Sequence, residues 1–95
     1  MAAYLIGQIQ VKDNQLWQEY VAGVSESLLP FEAKIVFRGA KTIVLAGDNE
    51  RDLVVVIEFS DHKSLNSWFH SEKYQALISL RDSAADVVIT CYESY

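Results

Sequence analysis

One cysteine in 95 residues excludes an internal disulfide, so this chain must be held together by packing and hydrogen bonding. One proline and four glycines are too few for a linker-rich or low-complexity chain. Basic residues number eight against thirteen acidic ones, a net charge of −5, and like charges do not run together. That leaves no basic stripe for nucleic-acid phosphates and no polybasic segment for an anionic membrane surface. No apolar stretch approaches the roughly 20 residues of a membrane span. The opening Met-Ala-Ala-Tyr-Leu-Ile-Gly-Gln lacks the basic flank of a signal peptide. These absences point to a cytoplasmic protein. His62 and His70 have no further His or Cys at ligand spacing, so no metal is expected. A glycine-rich phosphate loop, a Ser-His-Asp order and a glycine-x-serine-x-glycine elbow are all missing, and no cofactor is expected either.

What is present is an apolar fraction of 51%, enough to fold residues 1–95 as one small globular domain. Leu53–Phe59 (Leu-Val-Val-Val-Ile-Glu-Phe) is its most informative segment. Leu53, Val55, Ile57 and Phe59 line one face of a strand, and Val54, Val56 and Glu58 line the other. A strand apolar on both faces needs cover on both.

Tyr4–Val11 alternates as a second strand, with Tyr4, Ile6, Gln8 and Gln10 on one face. Asp13 is an N-cap, and Trp17, Tyr20, Val21, Val24 and Leu28 then recur at helical spacing. Pro30 is expected to stop this helix and push Leu29 out of helical geometry. Ala33–Arg38 and Lys41–Ala46 both read as strands, and Gly39-Ala40 between them is either a two-residue hairpin turn or a bulge in one long bent strand. Ser60 or Asp61 caps a helix carrying Leu65, Trp68 and Phe69. That helix breaks near His70-Ser71 and restarts with Tyr74, Leu77, Ile78 and Arg81. Val87–Glu93 alternates as the last strand.

This order predicts an α+β protein: a ferredoxin-like split βαβ sandwich, a mostly antiparallel sheet with two helices on one face. The first strand and Leu53–Phe59 are expected to lie centrally and parallel. The uncovered face then carries Ile6, Val36, Val54, Val56 and Val88 beside Gln8, Arg38, Glu58, Thr90 and Tyr92. Such a face is too apolar for free solvation and too polar for a plain core. Pairing sheet to sheet with a second copy, as a homodimeric α+β barrel, resolves the conflict.

Phe37-Arg38-Gly39, Val44-Leu45-Ala46-Gly47, Leu53-Val54-Val55-Val56-Ile57-Glu58-Phe59, Ser67-Trp68-Phe69-His70-Ser71-Glu72-Lys73-Tyr74-Gln75-Ala76-Leu77 and Leu80-Arg81-Asp82 occur in this order. Together they resemble the domain-of-unknown-function 1330 family from Tyr4 to about Tyr92. Lys73 and Glu72 depart from it, standing where the family often has Glu and Pro. The resemblance implies a dimeric α+β barrel. The wider superfamily holds small monooxygenases, muconolactone-type isomerases and haem-linked enzymes, while the family itself has no established reaction.

Glu58 and Arg38, expected on one enclosed face, are the candidate catalytic pair. An enclosed carboxylate is a general acid or base, and a neighbouring guanidinium holds an anion. The same pair reads equally well as an ion pair anchoring the dimer. Gln8, Thr90 and Tyr92 either complete a polar ligand pocket or satisfy one another across the interface. Trp68 and Tyr74 are candidates for an aromatic pocket wall, although aromatics at helical spacing are usually core. For Arg81 a ligand-binding role follows from the resemblance alone; otherwise it complements a helix dipole. His62 and His70 read as solvated helix residues, and Cys91 as a buried, inert thiol. The functional expectation is a cofactor-independent small-molecule enzyme using a pocket inside the barrel. A non-catalytic ligand-binding or structural dimeric module is the alternative.

Overall fold

The structure, a computed structural model describing residues 1–95, begins with β1 (Ala3–Val11), where Ala3, Leu5, Gly7 and Ile9 are buried and the residues between them are half-buried. Asp13 caps α1 (Asn14–Leu28), its Oδ1 accepting the Leu16 N–H at 3.1 Å. Leu29 does not leave helical geometry: it holds φ −52° and ψ −45°. Pro30 falls in the first turn of a short 3-10 segment, Leu29–Phe31, where its missing N–H has no partner to lose, and Glu32, at φ 53°, ends the helical course instead. Then follow β2 (Lys34–Ala40), β3 (Leu53–Phe59), α2 (His62–Phe69), α3 (Glu72–Gln75), α4 (Ile78–Ala84) and β4 (Ala85–Glu93). Asp61 caps α2 through the Ser64 N–H at 2.7 Å, and Ser71 caps α3 after the expected break. A further break at Ala76 and Leu77 separates Tyr74 from Ile78 and Arg81.

The sheet order is β2-β3-β1-β4. β1 and β3 are indeed central, but they run antiparallel, as does every neighbouring pair. The α1 crossover lays β2 parallel to β1 with a gap between them. β3 doubles back after β2 and fills that gap, so it must oppose both. Tyr4 thereby sits between Glu58 and Tyr92, Ile6 between Val56 and Thr90, and Gln8 between Val54 and Val88. These residues form the sheet's open face. The opposite face packs Leu5, Ile57 and Phe59 against Tyr20, Leu28, Leu65, Trp68 and Tyr74 of the helices. Trp68 Nε1 donates to Ser27 Oγ at 2.9 Å, which keeps the indole N–H satisfied in the core. Gly23 lets α1 approach α4 closely, since a Cβ there would lie 2.6 Å from Leu77 Cδ2.

Lys41–Ala46 is not a strand, and Gly39-Ala40 is neither a hairpin turn nor a bulge. Pairing ends at Ala40 and Leu53, and the backbone bond from Lys41 N to Asp52 O, 2.6 Å, closes the base of a loop. The Lys41 ammonium holds the Asn49 carbonyl inside it at 2.6 Å. With no strand alongside, Ile43 and Leu45 are left 69% and 90% exposed.

The irregularity in β2 lies earlier, at Val36. Ile35 pairs with Ile57, but the next pairing is Phe37 with Val56, so Val36 is an extra residue in the ladder. Every later side chain of β2 changes face. Phe37 takes the open-face place beside Val56, and Arg38, opposite Val55, belongs to the helix-covered face. Arg38 therefore does not share a face with Glu58.

Candidate functional site

Gly7 leaves the middle of the helix-covered face without a side chain, while α1 is held through its contact with α4. Between α1 and the sheet this leaves a cleft of about 390 Å³, roofed by Trp17, Val21 and Val24 and floored by Gly7, Val55 and Ile89. Arg38, an exposed residue of β2, is the single charged side chain in its lining; Tyr20 is the other ionisable one. Apart from Ser25 the walls are otherwise apolar, and no carboxylate, imidazole or thiol reaches them. Such a cleft can desolvate a hydrophobic molecule and offer one guanidinium to an anionic group on it. It has no acid–base pair of its own.

Trp68 and Tyr74 are core residues, 2% and 0% exposed. Trp68 still reaches the cleft lining, whereas Tyr74 does not. Tyr74 belongs to a buried polar chain instead: its hydroxyl lies 2.9 Å from that of Tyr20 and accepts from Arg81 Nη1 at 3.0 Å. Burial, reinforced by Tyr74, raises the Tyr20 phenol far above the usual tyrosine value, so it stays protonated. Burial alone would lower the Arg81 pKa, but the bonds to Tyr74 and to Asp82 Oδ1, 3.1 Å away, outweigh it and raise the value.

On the open face, Glu58 pairs with groups directly across the ladder. Tyr4 donates to Glu58 Oε2 at 2.8 Å, and Lys34 Nζ lies 3.8 Å from Oε1. The bond to the Glu58 carboxylate raises the Tyr4 pKa, with the carboxylate charge adding to the effect. The structure thus brings Glu58, Gln8, Thr90 and Tyr92 onto one face and leaves Arg38 off it. Gln8 also borders a polar hollow formed with Asp48–Arg51, where Arg51 Nη2 meets Asp86 Oδ2 at 3.1 Å.

His62, at the start of α2, and His70, just past its end, are exposed and share a groove with Arg81 and Cys91 along β4. Cys91 faces the helices as expected but is not buried, because the helices leave that stretch of β4 open as the groove. Partial desolvation moves its thiol pKa upward, away from reactivity. Sequence reasoning missed Gly7, Trp17 and Tyr20 as site residues. Their signal was a glycine in mid-strand, facing the same way as the helix stripe that carries the two aromatics.

Four antiparallel strands ordered β2-β3-β1-β4, with the helices of two βαβ units on one face, define the ferredoxin-like fold. A protein of unknown function from Rhodopseudomonas palustris superposes with a TM-score of 0.84 at 13% identity, covering 99% of this chain and 82% of that one. A dimeric ferredoxin-like protein of unknown function from Thermobifida fusca gives 0.65 at 16% identity, covering 99% and 92%. SnoaB, a cofactor-independent oxygenase from Streptomyces nogalater, gives 0.71 at 7% identity, covering 99% and 93%. No functionally curated protein matches the chain. Residues 2–95 match the domain of unknown function DUF1330, and the chain belongs to that family.

Proposed function

We propose that this chain is a homodimeric small-molecule-binding protein of the cytoplasm, its two sheets packed face to face and a ligand held in the cleft of each protomer. The observation that carries the ligand reading is the apolar cleft with Arg38 as its one charge. The ligand is an apolar, ring-sized molecule bearing an acidic group that Arg38 meets. Support for pairing comes from the open face, where Phe37, Tyr92, Val36 and Val88 are 55%, 54%, 48% and 42% exposed beside Ile6, Val54 and Val56. The Thermobifida fusca protein of this fold is itself dimeric. Glu58, Gln8, Thr90 and Tyr92 then belong to the seam, where they satisfy one another and their counterparts. A cytoplasmic setting suits a chain with one unpaired thiol and no helix long and apolar enough to cross a membrane.

A cofactor-independent enzyme is the second reading, favoured by one specific feature. A guanidinium at an otherwise apolar cleft stabilises an anion formed on the bound molecule, so a sufficiently acidic substrate needs no protein base. The Streptomyces nogalater oxygenase shares the fold.

Titration with 2-naphthoate and its neutral methyl ester, read by fluorescence of Trp17 and Trp68, tests the ligand reading. Wild type should bind the acid more tightly. Arg38→Met should weaken acid binding about tenfold while leaving the ester unchanged. Failure of both probes to bind, or indifference of the acid to Arg38→Met, would overturn it.

A further inference from the structure

The apex of the loop between β2 and β3 has no cover in the protomer. Ile43, Val44 and Leu45 are 69%, 37% and 90% exposed, and Ala46 after them is exposed as well. Single apolar side chains on a surface are ordinary, but an uninterrupted run of them is kept only for a purpose. The loop is not slack. Lys41 N–H donates to the Asp52 carbonyl at its base, the Lys41 ammonium holds the Asn49 carbonyl, and Asn49 Oδ1 accepts the Arg51 N–H at 3.2 Å. These bonds brace both limbs and leave the apolar apex in water. None of residues 41–50 lines the cleft, so the apex does not shield the protomer's own ligand site.

Both limbs of the loop lie beside the open face of the sheet. On the returning limb, Asp48–Arg51 form a hollow with Gln8, and Arg51 Nη2 reaches Asp86 Oδ2 at 3.1 Å. Gln8 belongs to the open face, and so does Asp86, which pairs with Gln10. The outgoing limb continues from Phe37, which is 55% exposed on that face. Its ring lies along β2 over Gly39, with Cζ 2.7 Å from where a Cβ would stand there. The apolar surface of the open face therefore leads along β2 toward the loop.

We infer that residues 43–46 form an arm that closes on a second copy of this chain, at the margin of the paired sheets. This rests on the face-to-face dimer proposed above. A second copy is the occupant because the loop borders the face on which the copies pair. Packed sheets stand about 10 Å apart, and the course from Lys41 to Leu45 spans up to about 13 Å, so Leu45 can reach the partner. In a twofold pair each protomer gives one arm and receives one, so a change in the arm counts twice.

Sedimentation equilibrium and isotope-filtered NOE spectra test the arm. Leu45→Ala should raise the dimer dissociation constant about tenfold for each arm, about a hundredfold in all, and Leu45→Met should stay near wild type. Unchanged circular dichroism would show that the protomer is intact, as expected for a side chain so exposed. In mixed dimers of methyl-labelled and unlabelled protomers, the Leu45 methyls should give cross-peaks to the unlabelled copy. A wild-type dimer whose dissociation constant Leu45→Ala leaves unchanged, or whose Leu45 methyls give no such cross-peaks, overturns the arm while the pairing of the sheets stands. A larger wild-type assembly that Leu45→Asp returns to dimers would put the apex between dimers and overturn it too. A wild-type monomer overturns both the arm and the pairing.

Discussion

Filling the position of Gly7 asks directly whether the ligand lies in the cleft. Gly7 is buried between Val55 and Ile89. A Cβ there would stand 3.1 Å from Val55 Cγ1 and 3.9 Å from Ile9 Cδ1, so Val55 must yield by a few tenths of an ångström. It can, because Val55 is only half-buried and borders the open cleft. Displacing a side chain from its rotamer costs about 0.5–1.5 kcal/mol. Removing a glycine from a strand interior returns about 0.5–1 kcal/mol. Gly7→Ala should therefore stay within about 1 kcal/mol of wild type in urea denaturation. Gly7→Val adds two further methyl groups to a space of about 390 Å³ whose roof is already set by Trp17, Val21 and Val24. A ligand lying on that floor meets overpacking of about 1–3 kcal/mol, so naphthoate affinity should fall about tenfold or more. Unchanged affinity in a folded Gly7→Val protein would refute the location of the ligand. A loss above about 3 kcal/mol in Gly7→Ala would refute the claim that Val55 has room to move.

Two other outcomes are expected. Val56→Asp places an unpaired carboxylate in the middle of the open face and should convert the dimer to monomer in sedimentation velocity at micromolar concentration; a wild-type monomer there would refute the pairing. Tyr20 titrates near pH 10 when unfolded but far higher when folded, so the native state keeps a proton that the unfolded state releases. Its contribution is complete below about pH 10 and should decline above it by about 1.4 kcal/mol per pH unit. Tyr20→Phe should flatten alkaline unfolding by that one-proton slope, and an identical slope would show that the phenol is not held protonated.

Much of the fold was legible because its signals are local. Asp13, Asp61 and Ser71 cap the helices assigned to them, and the two-faced apolar strand 53–59 lies inside the sheet. Direction was harder, since alternation is the same whichever way a strand runs. Lys41–Ala46 has the composition of a strand, but a strand needs a neighbour, and the pairing partner runs out at Leu53. The candidate pair of Glu58 and Arg38 failed on one residue. The only trace of the extra residue in sequence is the unbroken triplet Ile35-Val36-Phe37, where strict alternation would have interposed a polar side chain. The cleft was invisible for another reason. It depends on how far α1 stands from the sheet, which is fixed by Gly23 against Leu77 and by the missing side chain at Gly7. Neither glycine disturbs the apolar periodicity around it.

The extra residue in β2 also makes the strand indifferent to a one-residue deletion. Removing Val36 from the chain would leave Ile35 opposite Ile57, Phe37 opposite Val56 and Arg38 opposite Val55, now as a regular ladder, so the guanidinium would stay on the cleft side of the sheet. A relative of the same length that paired without the bulge would instead turn the arginine of its Phe-Arg-Gly triplet to the side with Glu58. In this family the pairing of β2 with β3 is therefore as informative about chemistry as the arginine itself.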